Sequence, residues 1–192
     1  MLEVNNRLKE VYKTLSSGMI VTFLSCMLSL QYMVNPVVAF LAFVLAAILC
    51  IWKPNKYTFY TYSFSTGMLM SFSVLLVSVE TVVAAMAGTL GVFLGLTCCV
   101  IKTGKDFSHL LKPLLYTLIG MIVLQVLNIF FLSNETLEHL LNVGGVIVFA
   151  GFILADTSEI MNGNFDNKYS ASLSMHLNII NLFLSMMGIL DD

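Results

Sequence analysis

The sequence predicts an all-α membrane protein, and its composition, its hydrophobic segments and its charge placement lead to that fold class. Of the 192 residues, 58% are hydrophobic and only 10% are charged, whereas soluble domains carry about 25% charged residues. Nine basic and eleven acidic side chains cannot cover a soluble core of this size, so much of the surface must face lipid. The net charge of −2 and the lack of a basic tract exclude nucleic acid as a partner, because its phosphates require clustered Lys and Arg.

The first four predicted membrane spans are separated by short polar turns. Residues 1–13 are polar and contain no apolar run, so they are predicted to be a cytosolic segment and not a cleaved signal peptide. Pro36 opens the second span and Pro54 lies in the turn after it, where proline is compatible with neighbouring helices. Each span is close to the roughly 20 residues that cross a bilayer as a helix. The four spans are Thr14–Val34, Pro36–Trp52, Tyr57–Val79 and Thr81–Ile101.

Three further spans complete one predicted seven-helix membrane domain over residues 14–190, and residues 191–192 form the C-terminal end. Pro113 is predicted at the first helical position of the fifth span. The connections between the seven spans are too short to hold a soluble domain. The last three spans are Pro113–Ser133, Leu140–Ile160 and Ser170–Leu190.

All nine basic residues fall on one side of the predicted membrane. They occupy the N-terminal segment and every second connection, whereas the other connections contain no Lys or Arg. The positive-inside rule therefore predicts a cytosolic N-terminus and, with seven spans, a C-terminus on the far side. A last segment that re-enters the membrane would place both ends on the same side. The basic residues are Arg7, Lys9, Lys13, Lys53, Lys56, Lys102, Lys105, Lys112 and Lys168.

A row of small residues in the fourth span predicts a tight contact with a neighbouring helix of the same chain. Small side chains allow two helix backbones to approach closely within a membrane. A contact within the chain is a more ordinary interpretation of such a row than a dimer motif or a substrate site. The row consists of Ala84, Ala87, Gly88, Gly91 and Gly95.

Polar groups at membrane depth concentrate in the last two spans, and they require a reason because their burial in lipid is costly. Asp156 lies within the sixth span, and Glu159 lies one turn later near the cytosolic interface. The seventh span carries a polar stripe that is predicted to face away from lipid. Its hydroxyl and amide groups are interpreted as groups that hold neighbouring helices together through hydrogen bonds. Asp156 is interpreted as a functional group on a route for a cation or proton. The stripe consists of Ser174, Asn178, Asn181 and Ser185.

At these residues the sequence resembles the Bax inhibitor-1 family, also called the transmembrane Bax inhibitor motif proteins. The family carries an Asp-Thr-Gln signature late in its sixth helix and a Leu-Asp-x-Ile-Asn-Leu-Phe pattern in its last. Residues 155–158, Ala-Asp-Thr-Ser, are similar to the first motif, and residues 177–183, Leu-Asn-Ile-Ile-Asn-Leu-Phe, are similar to the second. Residues 8–12, 66–67 and 88–89 are also similar to family positions. The resemblance covers nearly the whole chain.

The resemblance implies six helices around a central seventh and a pH-sensitive calcium leak channel in an intracellular membrane, the endoplasmic reticulum. It also implies a negative regulatory role in programmed cell death. In the family, two aspartates share a proton and set the pore open or closed. Asp156 occupies the first of these positions, but Asn178 occupies the second. An uncharged Asn removes the repulsion between two carboxylates, so family-type pH gating does not carry over directly.

The resemblance also implies the ligands and partners of the chain. Calcium is the expected transported ion, passing near Asp156, and no cofactor or firmly bound metal is expected. The expected partners are membrane lipid, calcium, protons and cell-death regulatory proteins. Asp156, Asn178, Glu159 and Asn181 are the candidate residues of the ion pathway and of pH sensing, and Lys53 or Lys56 is a candidate latch for Asp156 from the cytosolic side.

Two other functional classes stay open. One is a membrane scaffold that acts on cell death through partner proteins, and the other is a small-solute or proton-coupled transporter. No inverted repeat that would favour a transporter is recognisable. An enzyme is not expected, because His109, His139 and His176 lie in different segments and none has a recognisable nucleophile beside it.

Overall fold

The computed structural model describes the backbone of residues 2–191 and the side chains of residue 4 and residues 6–191. The described backbone is helical and contains no strand, which confirms the all-α class. Seven α-helices follow one another through short connections. They are α1 (Leu2–Tyr32), α2 (Pro36–Trp52), α3 (Lys56–Leu75), α4 (Val79–Thr103), α5 (Leu111–Leu127), α6 (Glu135–Asn162) and α7 (Lys168–Leu190).

Asparagine side chains begin two of the helices. Asn35 Oδ1 accepts the backbone N–H of Val37 at 2.9 Å, and Pro36 takes the first helical position of α2 as predicted. Asn55 Oδ1 accepts the N–H of Thr58 at 3.2 Å while Thr58 Oγ1 accepts the N–H of Asn55 at 3.0 Å, a reciprocal capping box. These caps satisfy N–H groups that have no partner within the helix.

The prediction for Pro113 is wrong, because the fifth helix starts earlier. A single 3₁₀ turn, Ser108–Leu110, leads directly into α5, which begins at Leu111. At its other end α5 continues into a π-helical turn, Asn128–Leu132. The buried Asn128 side chain then closes the connection to α6 by donating to the carbonyl of Asn134 at 3.1 Å and accepting its N–H at 2.9 Å.

Five helical stretches are long and apolar enough to cross a membrane, which supports a multi-pass membrane protein. The 17-residue helix α2 is apolar but shorter, and the 20-residue helix α3 is rich in Ser and Thr. Large apolar side chains are exposed along α2 and α5, as expected for helices that face lipid. Seven crossings remain a prediction. The five stretches are Asn6–Tyr32, Val79–Thr103, Ser108–Leu132, Glu135–Asn162 and Lys168–Leu190.

The chain divides into two compact units, and both α6 and α7 contribute residues to each of them. Unit 1 consists of Met1–Ser78 and Ile160–His176, and unit 2 consists of Val79–Glu159 and Leu177–Asp192. The prediction of one membrane domain over residues 14–190 covers parts of both units.

In unit 1, α1 and α3 pack closely along a seam of small and hydroxyl residues. A Cβ atom at Gly67 would lie 2.9 Å from the backbone nitrogen of Cys26, so only glycine permits this approach. Ser25 Oγ donates across the seam to the carbonyl of Phe64 at 2.6 Å. On α7, Ser172 Oγ donates to the carbonyl of Val11 at 3.1 Å.

Residues 2–13 of the predicted cytosolic segment belong to α1, which begins at Leu2. Within unit 1, Arg7 Nη2 donates to the carbonyl of Met161 at 2.9 Å. Lys168 Nζ and the Glu10 carboxylate form an exposed ion pair at 2.6 Å. These contacts attach the start of α1 to the end of α6 and to the first residue of α7.

In unit 2, the prediction of a tight contact along the small residues of α4 is wrong for most of the row. Ala84 and Ala87 are exposed, and a Cβ atom at Gly91 or Gly95 would meet no described atom within 4 Å. Only Gly88 of this row faces a neighbour, because a Cβ atom added there would lie 2.9 Å from the sulfur of Met186 on α7. A row of small residues shows where a helix could be approached, but it does not determine which face is packed.

Candidate functional site

The Asp156 carboxylate and the Asn178 amide form a direct hydrogen bond inside unit 2. Asn178 Nδ2 on α7 donates to Asp156 Oδ2 on α6 at 2.7 Å. Both side chains are buried, with 8% of Asp156 and 6% of Asn178 exposed. Asp156 and Asn178, the two residues at the positions of the paired aspartates that the resemblance implies, are therefore partners in the folded chain.

Glycines on both helices bring α6 and α7 close enough for this contact. A Cβ atom at Gly145 of α6 would collide with Ser185 Oγ and would lie 3.1 Å from Ser185 Cβ. A Cβ atom at Gly188 of α7 would lie 2.8 Å from Cγ of Asn142. Small residues at such positions let helix backbones approach within a membrane, and the short polar side chains of Asp156 and Asn178 then reach each other.

Hydroxyl groups next to Asp156 are held by the backbone of their own helix. Thr157 Oγ1 donates to the carbonyl of Ile153 at 2.7 Å, and Ser158 Oγ donates to that of Leu154 at 3.0 Å. Ser158 Oγ also accepts the backbone N–H of Phe107 at 3.0 Å. Ser158, which stands where the family signature has Gln, therefore connects the segment before α5 to α6.

The geometry gives the pair a specific chemistry. The amide presents its N–H group to the carboxylate, which is the arrangement that stabilises an ionised Asp156. If the carboxyl group were protonated, the same amide could turn over and accept its O–H through Oδ1. A carboxylate oxygen is also a hard ligand for calcium, but one carboxylate and one amide fall short of the six to eight oxygens that calcium prefers. The pair suits a passing cation better than a firmly bound one.

The other candidates on α6 and α7 have different surroundings. Glu159 is half-buried one turn after Asp156. Asn181 Nδ2 donates to the carbonyl of Leu177 in its own helix at 2.8 Å, so this amide is already partly satisfied. Ser185 is buried against Gly145. Ser174 is exposed whereas Asn178 and Ser185 are buried, so the orientation of Ser174 relative to lipid stays a prediction.

The two candidate latch residues lie in unit 1, at the connection between α2 and α3. Lys53 and Lys56 are both exposed. Lys53 Nζ lies 5.1 Å from the ring centroid of Trp52, a cation–π contact. A latch between either lysine and Asp156 stays a prediction.

Unit 1 contains a buried polar cluster that was not predicted from the sequence. His176, Tyr62 and Thr22 come from α7, α3 and α1, and all three side chains are buried. Aromatic side chains of membrane helices commonly face lipid or its interface, but Tyr62 and Phe59 are 0% exposed. His176 itself was the signal that could have revealed the cluster, because a histidine inside an apolar span needs a polar partner.

The chain is similar to a known protein family and to several known proteins. Residues 4–192 match the family described as "Inhibitor of apoptosis-promoting Bax1". An uncharacterized membrane protein of Vibrio cholerae is 35% identical over 98% of this chain and 90% of its own length. A Golgi anti-apoptotic protein of vaccinia virus is 33% identical over 71% of this chain and 58% of its own length. An uncharacterized membrane protein of Streptococcus pyogenes is 30% identical over 68% of this chain and 60% of its own length.

Proposed function

Because the chain belongs to the Bax inhibitor-1 family, we propose that it is a calcium leak channel of an intracellular membrane, the endoplasmic reticulum, and restrains programmed cell death. The observation that carries the channel proposal is the buried hydrogen bond between Asn178 and Asp156, at 2.7 Å. A carboxylate in a membrane span is expensive to bury, and such groups commonly line ion pathways. The printed name of the vaccinia relative, an anti-apoptotic protein, supports the role in cell death.

In this proposal the uncharged Asn178 amide blocks the access of cations to the Asp156 carboxylate. In the closed state its N–H group occupies an oxygen that a cation would otherwise approach. Opening separates the amide from the carboxylate, and calcium then replaces the amide as the group that offsets the negative charge. The Asp156–Asn178 pair offers calcium one carboxylate and one amide, a small set of ligands, so the ion would leave readily, as conduction requires.

Gating by pH should follow one protonation step. Two adjacent carboxylates titrate as a coupled pair with two apparent steps. Asn178 carries no titratable proton, so Asp156 is the acid of this pair and no proton is shared. We therefore expect calcium flux with a single-step pH dependence, and Asn178→Asp should introduce a second step.

The test is calcium flux from liposomes that contain the purified full-length chain, measured with a trapped calcium-sensitive dye across a range of pH. Asp156→Ala should change the flux or its pH dependence. Glu138→Gln is the matched control, because it removes an exposed carboxylate from the start of the same helix. Flux that Asp156→Ala leaves unchanged at every pH would overturn the channel proposal.

That outcome would favour a second candidate, a membrane scaffold that acts on cell death through partner proteins. The vaccinia relative supports this candidate too, because its name states an anti-apoptotic role. The discriminating experiment measures cell survival after a death stimulus in cells that express wild-type chain or Asp156→Ala. A scaffold predicts equal protection by both proteins, whereas a channel predicts weaker protection by the variant.

A further inference from the structure

A cleft of about 330 Å³ lies between the start of α1 and the segment that leads into α7, within unit 1. Its volume is in the range of small-molecule binding sites. The walls are mainly apolar, and the stems of long charged side chains add to this apolar surface. The cleft is lined by Asn6, Arg7, Glu10, Val11, Phe165 and Lys168.

The cleft is expected at a boundary of the membrane. α6 ends at Asn162 and α7 begins at Lys168, and both helices are long and apolar enough to cross a membrane. The 28 residues of α6 extend roughly 42 Å at 1.5 Å per residue, beyond a hydrocarbon core of about 30 Å. The connection between the two helices, which includes Phe165, therefore lies at the level of the lipid headgroups.

Basic groups outnumber acidic groups in and around the cleft. The lining itself carries two basic side chains and one acidic side chain. Residues 6–13 and 163–168 together contain four basic and two acidic residues, so an anionic ligand is favoured over a cationic one. The basic residues are Arg7, Lys9, Lys13 and Lys168, and the acidic residues are Glu10 and Asp166.

The two basic groups of the lining are held in different ways. Arg7 Nη2 donates to the carbonyl of Met161 at 2.9 Å, so one of the five N–H groups of the guanidinium fixes its position. Lys168 Nζ contacts the Glu10 carboxylate at 2.6 Å in an exposed ion pair. An exposed ion pair contributes little to stability, so Lys168 can exchange Glu10 for another anion at little cost.

We propose that this cleft binds the headgroup of an anionic phospholipid, whose phosphate accepts hydrogen bonds from Arg7 and Lys168. Guanidinium and ammonium groups are common partners of phosphate, and basic pockets between membrane helices bind anionic headgroups. Phe165 and the stems of the two basic side chains contact the apolar part of the lipid next to its headgroup. Free phosphate has no apolar part to cover these walls, so the lipid is the favoured occupant.

Glu10 competes with the lipid phosphate for Lys168. When the phosphate binds, it replaces the carboxylate as the partner of the ammonium group, and the Glu10 side chain turns to water. The bound headgroup then connects α1 and α7 through Arg7 and Lys168. The proposal rests on the membrane location of the chain and does not depend on calcium transport.

Native mass spectrometry of the purified full-length chain in detergent tests the site. The chain is titrated with phosphatidylglycerol and, separately, with phosphatidylcholine that has the same acyl chains and no net charge. We expect phosphatidylglycerol to bind more tightly. Equal affinity for the two lipids would overturn the proposal. Displacement of phosphatidylglycerol by an equal concentration of inorganic phosphate would overturn it too, because the site would then recognise phosphate alone.

Two variants that break the same ion pair should act in opposite directions. Lys168→Gln removes a partner of the phosphate and should weaken phosphatidylglycerol binding about fivefold. Glu10→Gln removes the competing carboxylate and should strengthen this binding. If the ion pair only maintained the shape of the cleft, both variants would weaken binding, so weaker binding by Glu10→Gln would contradict the proposal.

Lys102→Gln is the matched control. It removes an exposed lysine from the last turn of α4, outside the cleft, and it should leave phosphatidylglycerol binding unchanged. If Lys102→Gln weakens binding as much as Lys168→Gln does, the lipid is attracted by surface charge in general and not by this cleft.

Discussion

Replacing Gly67 by Ala should disrupt the packing of α1 against α3. The new Cβ atom would collide with the carbonyl oxygen of Thr22 and would lie 2.9 Å from both the Cys26 nitrogen and Ser25 Cβ. Two of these three atoms belong to the backbone, so no side-chain rotation relieves the contact. The helices must separate instead.

The loss of stability caused by Gly67→Ala can be worked out from the contacts between α1 and α3 that are broken when the helices separate. Overpacking of a close contact costs about 1–3 kcal/mol. Ser25 Oγ donates across the seam to Phe64 at 2.6 Å and Thr22 Oγ1 to Ser63 at 2.9 Å, and each such bond contributes about 1 kcal/mol. Alanine regains roughly 1 kcal/mol of helix propensity over glycine. The net loss is about 3 kcal/mol, which lowers Tm by roughly 6–12 °C for a chain of this size.

A thiol-reactive dye provides the assay, because Cys26 and Cys50 are buried and become reactive on unfolding. The exposed Cys98 and Cys99 are replaced by Ser in every variant to remove their background. Tm is measured in detergent while the dye signal rises. Its value should fall clearly for Gly67→Ala relative to the parent.

Gly91→Ala is the control for this prediction. It gains the same helix propensity, but its Cβ atom would meet no atom of the described residues within 4 Å, so Tm should stay the same or rise slightly. A Gly67→Ala protein within about 2 °C of its parent, a margin well below the roughly 6 °C minimum derived above, would refute the close α1–α3 approach.

Three further predictions address other parts of the chain. Gly145→Ala should lower Tm because its Cβ atom would collide with Ser185 Oγ. Adding Ser185→Gly to this variant should restore much of the lost Tm. Equal Tm values for the single and the double variant would contradict the contact. Asn55→Ala removes the capping box of α3 and should cost about 1 kcal/mol, measured by the same dye, whereas Asn55→Ser should cost much less. Protease-cleavable tags at the two termini should show a cytosolic N-terminus and a C-terminus on the far side; cleavage of both tags from one face would rule out seven crossings.

Features that depend on local composition could be predicted from the amino-acid sequence alone. Low charge and long apolar segments predict membrane helices wherever they occur, because each helix satisfies its own backbone within lipid. The bounds of α2 were predicted to the residue, since Pro36 and the polar turn after Trp52 are strong local signals. Asp156 stood out for the same reason, because a single carboxylate in an apolar run needs no tertiary information to be recognised.

The faces on which the helices meet depend on the folded arrangement and could not be predicted in this way. The small-residue row of α4 predicted a tight helix contact, but Gly91 and Gly95 face open space. Gly67 of α3 makes a tight contact instead. Helical spacing shows which residues share a face, and it does not show what that face packs against. The bond between Asp156 and Asn178 and the enclosure of His176 by its neighbours join residues of different helices, so no local pattern contains them.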